Sequence, residues 1–484
     1  MNPIGINDIL LITPFLALFL TSIIPITIKV LRGNAEQPAA ATLIQGLGGL
    51  LATFVLMMIV SGAGKTAFMN TLVFDRTTTW MSLIALGSAA MAILMMYDNP
   101  ATSGHQFSEL IFLALNSTLG MLILISATDL LTVFIGLEIM SLALYMMIGM
   151  SHEQKLSKEA AFKYFILGSF ASAIFLYGIS FVFGSAGSTY LIDLVQKTPE
   201  LVATNKLFIF GITMVILGFC FKVSIAPFHA WTPDVYQGAP TPHTAFMATA
   251  VKTVSFAAFL RILGARPLIG NENIFDFLQW LAVITMIVGN VAAILQNNFK
   301  RMLAYSSISN SGYILVGLIT AGVSDNFQEI SGTVMFYLFS YSAMTLGAFA
   351  IVNLIEKNEN SSVMIDDLAG YAKKNPFLAF CLTLFLLSLA GIPPLIGFFG
   401  KFYLFTAAVG EGLIWLALWG VINSVISVYY YLRPVVVMYM KDGAHEAIEQ
   451  PMNSSKSVVV ITAFIVLVLG LISGPILQIF SGTF

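Results

Sequence analysis

Residues 376–409 read PFLAFCLTLFLLSLAGIPPLIGFFGKFYLFTAAV. The run is apolar and longer than the roughly 20 residues that carry one helix across a bilayer. Inside it stands Gly391-Ile392-Pro393-Pro394. Prolines supply no backbone donor, so the carbonyls of Leu389 and Ala390 lose their usual helical partners and the helix is expected to break there. Seven residues beyond Pro394 comes Lys401, the one charged side chain of the run. A broken membrane helix with a cation beside it is a pattern the chain repeats.

Over their whole length the 484 residues are 58% hydrophobic and only 10% charged, with a mean hydropathy of +0.89. A soluble domain of this size needs far more charge to cover its surface. Helices are the expected solution, because backbone polar groups in lipid must be satisfied within their own segment. Apolar runs punctuated by Gly, Pro and charge give about 14 spans. They occupy residues 8–30, 41–61, 78–97, 108–127, 129–150, 160–184, 206–227, 243–264, 277–296, 302–322, 330–355, 376–409, 411–433 and 457–480. The seventh closes on Pro227, which leaves the Val223 carbonyl unpaired, so it also reads as a broken helix.

The two breaks lie five spans apart. That spacing suggests two five-helix units of opposite orientation, spans 4–8 and 9–13, each with a discontinuous helix fourth. In membrane proteins of this plan the breaks mark a transport pathway. The expected fold class is all-α integral membrane, with about 14 transmembrane helices. Its expected divisions are a three-helix segment at 1–107, a first repeat at 108–264, a second at 277–433 and a C-terminal loop and helix at 434–484.

Several function classes find no support. Cys220 and Cys381 both lie in apolar runs, spaced neither as a metal site nor as a redox pair, and read as small packed hydrophobes. Five scattered histidines form no ligand cluster. The Gly62 to Lys65 stretch is a short turn without the spacing of a phosphate loop. No nucleotide, iron–sulfur cluster or haem is expected in this chain, and no nucleic-acid partner; the net charge of −2 is silent about partners. The N-terminus lacks a basic n-region, so its first apolar run reads as a retained span rather than a cleaved signal.

Orientation follows from the basic residues. The odd-numbered loops carry 12, at Lys29, Arg32, Lys155, Lys158, Lys300, Arg301, Lys357, Lys373, Lys374, Arg433, Lys441 and Lys456; the even-numbered loops carry 5, at Lys65, Arg76, Lys197, Lys206 and Arg266. By the positive-inside rule the odd loops face the cytoplasm and both termini face outward.

Lys163, Lys222, Lys252, Arg261 and Lys401 remain within spans, together with one acid, Glu138. Glu138 lies roughly 14 Å into the fifth span at the helical rise, and Lys252 similarly deep in the eighth. Charge at that depth costs at least ~2.5–3.5 kcal/mol, so it is expected to face protein or water. Arg261 reads as a snorkelling residue near its span end. Lys163, a turn inside the sixth span, reads equally as snorkelling or as part of a pathway. A helix-to-helix ion pair is the bland reading of the others, but one carboxylate does not neutralise three deep lysines. The sharper reading is a proton relay, since burial eases proton loss from lysine and a nearby carboxylate reverses that effect. His229, His243, Ser306, Ser307, Ser309, Tyr341 and Tyr429-Tyr430-Tyr431 are placed to support it. The segment from Ala226 to Pro242 carries four prolines with Trp231 and Tyr236, and reads as a stiff interfacial loop. His229 in it is placed to pass protons toward Lys222, or simply to hydrogen-bond at the interface.

Three segments then bear a resemblance: Phe134-Ile135-Gly136-Leu137-Glu138-Ile139-Met140-Ser141-Leu142, Lys222 through Ala250, and Leu395-Ile396-Gly397-Phe398-Phe399-Gly400-Lys401-Phe402. Over essentially its whole length the chain resembles the subunit N family, antiporter-like membrane subunits of bacterial proton-pumping NADH:quinone oxidoreductase. Thr244-Ala245-Phe246-Met247-Ala248 is similar to that family rather than its siblings, as are Lys401, where sibling M typically holds glutamate, and a chain end after span 14, where sibling L adds a long amphipathic helix. The resemblance implies that Glu138 and Lys222 form the charge pair of a first half-channel, Lys252 connects, Lys401 serves the outlet half and Lys163 modulates the pair. It implies a bacterial inner-membrane location, and as partners the other membrane-arm subunits of complex I, including a neighbouring antiporter-like subunit and the small subunits beside it. Flavin, iron–sulfur clusters and quinone would belong to partner subunits. Two other readings stand beside it: a subunit of a multi-subunit cation/proton antiporter, and a passive membrane scaffold with structural charges.

Overall fold

The computed structural model describes residues 5–33, 35, 37–61, 64–102, 106–150, 155–264, 272–356, 363–443 and 453–482. Gly62, Arg266, Lys357 and Phe484 lie outside the described residues. Among the described residues 12 helices are long and apolar enough to cross a membrane. The seventh and twelfth spans are the two that fall short, and both are interrupted. Among the described residues the fold is α-helical apart from a small ribbon, in which Lys65–Ala67 pairs antiparallel with Leu72–Phe74.

Burial sorts the helices into a column and a shell. Spans 8, 10 and 11 are the helices Thr241–Leu263, Phe299–Val323 and Phe327–Ile355, and 94% of each one's most apolar window is buried. Thr13–Leu31, at 28%, belongs to the shell. Close helix contacts fix where the ionisable residues stand. Spans 4 and 5, Phe107–Ser126 and Leu130–Gly149, cross with Gly120 and Gly136 face to face. A Cβ on Gly136 would meet the Leu124 backbone nitrogen at 2.7 Å, and one on Gly120 would collide with Met140. Small residues permit this approach. Glu138 sits two positions after that crossing, so its depth is set by the packing of two backbones.

The two interruptions share a geometry. The seventh helix, Lys206–Lys222, stops before Pro227 is reached. Ser224 takes a left-handed φ of 62°, and Ile225 N returns to Cys220 O at 2.8 Å. The twelfth, Pro376–Ala390, ends with Gly391 at φ 89° and Ile392 N on Leu387 O at 3.1 Å, before Ile396–Gly410 resumes. Both are glycine-type helix ends with a six-to-one hydrogen bond, although the first places a serine where glycine is favoured.

Several elements differ from expectation. The proline-rich segment is not an interfacial loop: it folds into the helix Trp231–Gly238, with Trp231 and Tyr236 both buried. Pro233 and Pro242 stand in first helical turns, where a missing N–H removes no intrahelical bond. Trp231 Nε1 instead donates to the Phe221 carbonyl at 3.0 Å, satisfying an acceptor that the break exposes. Span 6 begins earlier, at Lys155, so Lys163 stands two turns inside it. Residues between spans 6 and 7 form the helix Leu191–Thr204. Span 14 ends at Leu471, and Ser473–Ser481 forms a separate helix whose end lies against Gly332.

Candidate functional site

Four ionisable groups stand on spans 5, 7, 8 and 12, with Lys222, Lys252 and Lys401 buried. Lys222 is the last residue of its half-helix, so its ammonium is held at the break. It donates to Ser141 Oγ at 2.8 Å and to Tyr164 Oη at 3.1 Å. Tyr164 is itself fixed by stacking on Trp231, with ring centroids 4.5 Å apart. Glu138 accepts from Ser172 Oγ, and together with Lys222 it lines one small cavity. The expected charge pair is therefore brought together without a hydrogen bond between its members: hydroxyls hold each one.

Lys252 comes directly after a single π-helical turn, Met247–Val251, inside the eighth span. Such a turn inserts a residue, rotates the rest of the helix, and often marks a functional site. Lys252 Nζ donates to the Ser307 carbonyl at 2.5 Å and to the Ser307 hydroxyl. Ser311, one turn on, donates to the Ser307 carbonyl at 3.1 Å and to the Val223 carbonyl at 2.7 Å. The orphan acceptor expected at the seventh-span break thus finds a donor that also ties Lys222's helix to Lys252's partner.

Lys401 closes the second break. Its ammonium donates to Leu389 O at 2.9 Å, Ala390 O at 3.2 Å and Ser424 Oγ at 3.0 Å, and lies 4.9 Å from the Tyr313 ring centroid. Between Lys252 and Lys401 runs a buried hydrogen-bonded cluster. Ser306 bonds Tyr431, Asn310 Nδ2 donates to Tyr431 Oη at 3.3 Å, Tyr337 donates to Asn310 at 2.6 Å, and Tyr430 donates to Asn290 at 3.0 Å. Of the polar residues singled out in the sequence, Ser306, Ser307, Tyr430 and Tyr431 join this line; Tyr429 is exposed.

Lys163 and His229 lie at one end. Lys163 Nζ meets Asp234 and Glu159, each at 2.8 Å. Arg301 meets the other oxygen of Asp234 at 2.7 Å. Burial opposes ionisation of Asp234, but its bonds to Lys163 and Arg301 hold the carboxyl below the usual carboxylate range. Lys163 therefore clamps the post-break helix, and its neighbour Tyr164 is the residue that touches Lys222. His229 is half-buried in the loop before Trp231, and burial draws its imidazole below the ordinary value against an opposing bond to Pro227.

Two assignments from sequence change. Arg261 does not snorkel free: it makes a two-pronged bond to Asp75, at 2.7 and 3.0 Å, and donates to Thr78 at 3.0 Å. Asp75 caps the third span, so the pair joins spans 3 and 8. Lys300, a loop cation by sequence, is buried, donating to Ala239 O at 2.7 Å and meeting Glu356 at 3.3 Å. Both partners stand at helix ends, where apolar-run reading assigns residues to loops; a buried basic–acidic pair at two span ends leaves no periodic signal. Among the described residues no group of three or more His, Cys, Asp or Glu is placed to hold a metal.

One interrupted membrane helix ends on buried Lys222 and the other resumes in a half-helix that carries buried Lys401, and the chain has the fold of the antiporter-like membrane subunits. The family model described as NADH:quinone oxidoreductase/Mrp antiporter, transmembrane, matches residues 127–427. The chain is 66% identical to NADH-quinone oxidoreductase subunit N of Bdellovibrio bacteriovorus, covering 98% of this chain and 97% of that one. It superposes on a chain of respiratory complex I from Thermus thermophilus with a TM-score of 0.81, at 31% identity, over 97% of this chain and 100% of that one. A chain of the Mrp complex from Dietzia shares the fold alone, with a TM-score of 0.78 at 19% identity, over 98% of this chain and 96% of that one. The protein belongs to the subunit N family of NADH-quinone oxidoreductase.

Proposed function

We propose that this chain translocates protons in the membrane arm of complex I, while electrons pass from NADH to quinone through other subunits. One observation carries the reading. Among the described residues, Lys222, Lys252 and Lys401 are each held by neutral hydroxyl, phenol or carbonyl oxygens, and none by a carboxylate. A buried ammonium with no hydrogen-bonded counter-ion surrenders its proton readily, and a distant carboxylate such as Glu138 biases it without locking it. Arg261 and Lys300 in the same chain differ in meeting carboxylates directly.

In this reading Glu138 sets the charge state of Lys222, Lys252 receives protons in the centre, and Lys401 delivers them through the second break. Lys163 acts through its clamp on Asp234, and His229 exchanges protons at the loop. The halves at 108–264 and 277–433 form inverted repeats within about 14 spans. The odd loops face the cytoplasm and both termini face the periplasm of a bacterial inner membrane. Glu138 and its exposed neighbours Leu131 and Ile135 turn toward an adjacent membrane-arm subunit. No redox centre is assigned to this chain. The cation/proton antiporter reading shares the fold, but the 66% relative is a complex I subunit. The test is complex I reconstituted in liposomes with Lys252→Met: NADH-driven acidification is expected to fall at least about tenfold, and pumping at the parent rate would refute the relay.

A further inference from the structure

The buried pair Lys300–Glu356 is surrounded by polar groups that the relay does not use. Lys300 is the second residue of the tenth span's helix, and Glu356 caps the end of the eleventh. Their side chains are 7% and 8% exposed. Glu356 also accepts from Thr241 Oγ1 at 2.6 Å and from Asn99 Nδ2 at 3.3 Å, and Asn99 donates to Asn353 at 2.6 Å. Other charges at this end are Arg301 with Asp234, and Asp98, which accepts from Ser455 N at 2.7 Å. Five groups from four helices therefore meet at the end of the column that carries the odd loops.

A second observation points inward. His243, two positions after Thr241, is 1% exposed, and its Nδ1 has no hydrogen-bond partner among the described residues. It lies within electrostatic reach of Lys300. A buried ring nitrogen without a protein partner needs water or a proton from a neighbour. His243 stands nine residues before Lys252 on one continuous helix, roughly 13–14 Å at the helical rise. Tyr236 spans part of that gap: its hydroxyl reaches Ser307, which holds Lys252.

We infer that Glu356, Lys300 and His243 form a proton-loading site that feeds Lys252 from the odd-loop end. A proton arriving at Glu356 neutralises its carboxylate and leaves the Lys300 ammonium buried without its counter-charge, which is unfavourable. Lys300 then passes one proton to His243 Nδ1 and becomes a neutral amine. The imidazolium passes that proton by way of Tyr236 and Ser307 to neutral Lys252, which becomes an ammonium. Glu356 gives its own proton to Lys300 and the pair re-forms, so one proton enters and one leaves. The step rests on Lys252 being a relay member.

The alternative role for the pair is a structural latch, and a double variant separates the two. Removing both charges of a buried pair is commonly neutral or stabilising, whereas removing one is not. Lys300→Met with Glu356→Gln is expected to assemble at parent level in purified complex I, yet to lower NADH-driven acidification of liposomes at least about fivefold. His243→Gln, which leaves the pair intact, is expected to do the same and decides the matter alone if the double variant assembles poorly. Parent-rate pumping in these variants, while Lys252→Met is inactive, overturns the loading site and leaves the relay standing. Parent-rate pumping in Lys252→Met overturns both.

Discussion

Lys401 donates to the carbonyl of Leu389 at 2.9 Å, so the ammonium that stands beyond the twelfth-span break also repairs it. The acceptors orphaned by Pro393 and Pro394 gain a donor twelve and eleven residues away in the chain. Structure and proton chemistry therefore converge on one atom, and arginine separates them. Arginine keeps donors and charge but does not deprotonate in proteins. Lys401→Arg is expected to leave the melting temperature of purified complex I near the parent value while proton pumping falls at least about tenfold. Lys401→Ala is expected to lose both, at about 1–3 kcal/mol for each carbonyl left unsatisfied. Parent-rate pumping by the arginine variant would show that this lysine is only a brace.

Glu138→Gln keeps an acceptor for Ser172 but removes the charge that faces Lys222 across the shared cavity. Assembly is expected to be unchanged, with pumping and coupled NADH:quinone turnover down about tenfold or more. Ser172→Ala, which strips one hydrogen bond from the carboxylate, is expected to cost about 1 kcal/mol of local stability and to lower turnover only a few-fold. A Glu138→Gln complex that pumps normally removes this residue from the relay.

Arg261→Ala is not a silent change. Asp75 is opposed by burial but held below the usual carboxylate range by the guanidinium and by Thr78. Its folded value is depressed, so the pair's contribution is present above the unfolded carboxylate range near pH 4 and is lost as pH falls through the folded value. Loss of the arginine is expected to destabilise the subunit by about 1–3 kcal/mol at neutral pH, with turnover per assembled complex unchanged. Thermal melts at pH 7 and at about pH 3, below the unfolded carboxylate range, check this: the parent–variant gap must narrow at the lower pH.

A reporter fused after Phe484 is expected to be active in the periplasm and one inserted within residues 444–452 in the cytoplasm. Cytoplasmic activity at the C-terminus would break both the span count and the orientation.

The unequal lengths of the two breaks illustrate how far local reading reaches. Pro393 lies three residues beyond Ala390, where the left-handed Gly391 and the return bond from Ile392 to Leu387 end the helix, so glycine and prolines together mark that break. Pro227 lies five residues beyond the end of the seventh helix, since that helix is stopped by the left-handed Ser224 and its return bond to Cys220. Composition contains no such signal. Lys300 and Trp231 escape local reading for a related reason. Their burial is decided by Glu356 and Phe221, which pack on them from other segments, while an apolar-run count sees only a polar or aromatic residue near a span end.

Hydropathy, proline placement and the location of Glu138, Lys222, Lys252 and Lys401 within apolar spans were all determined by the sequence itself, because insertion into lipid is a property of each segment taken alone. The tertiary structure decided which oxygens each ammonium meets. Lys300 finds Glu356 at a separation of 56 residues, Lys252 finds Ser307 at 55 and Lys222 finds Ser141 at 81. Whether a buried lysine meets a carboxylate or only neutral oxygens depends on those long-range contacts, and no periodicity within a single helix encodes them.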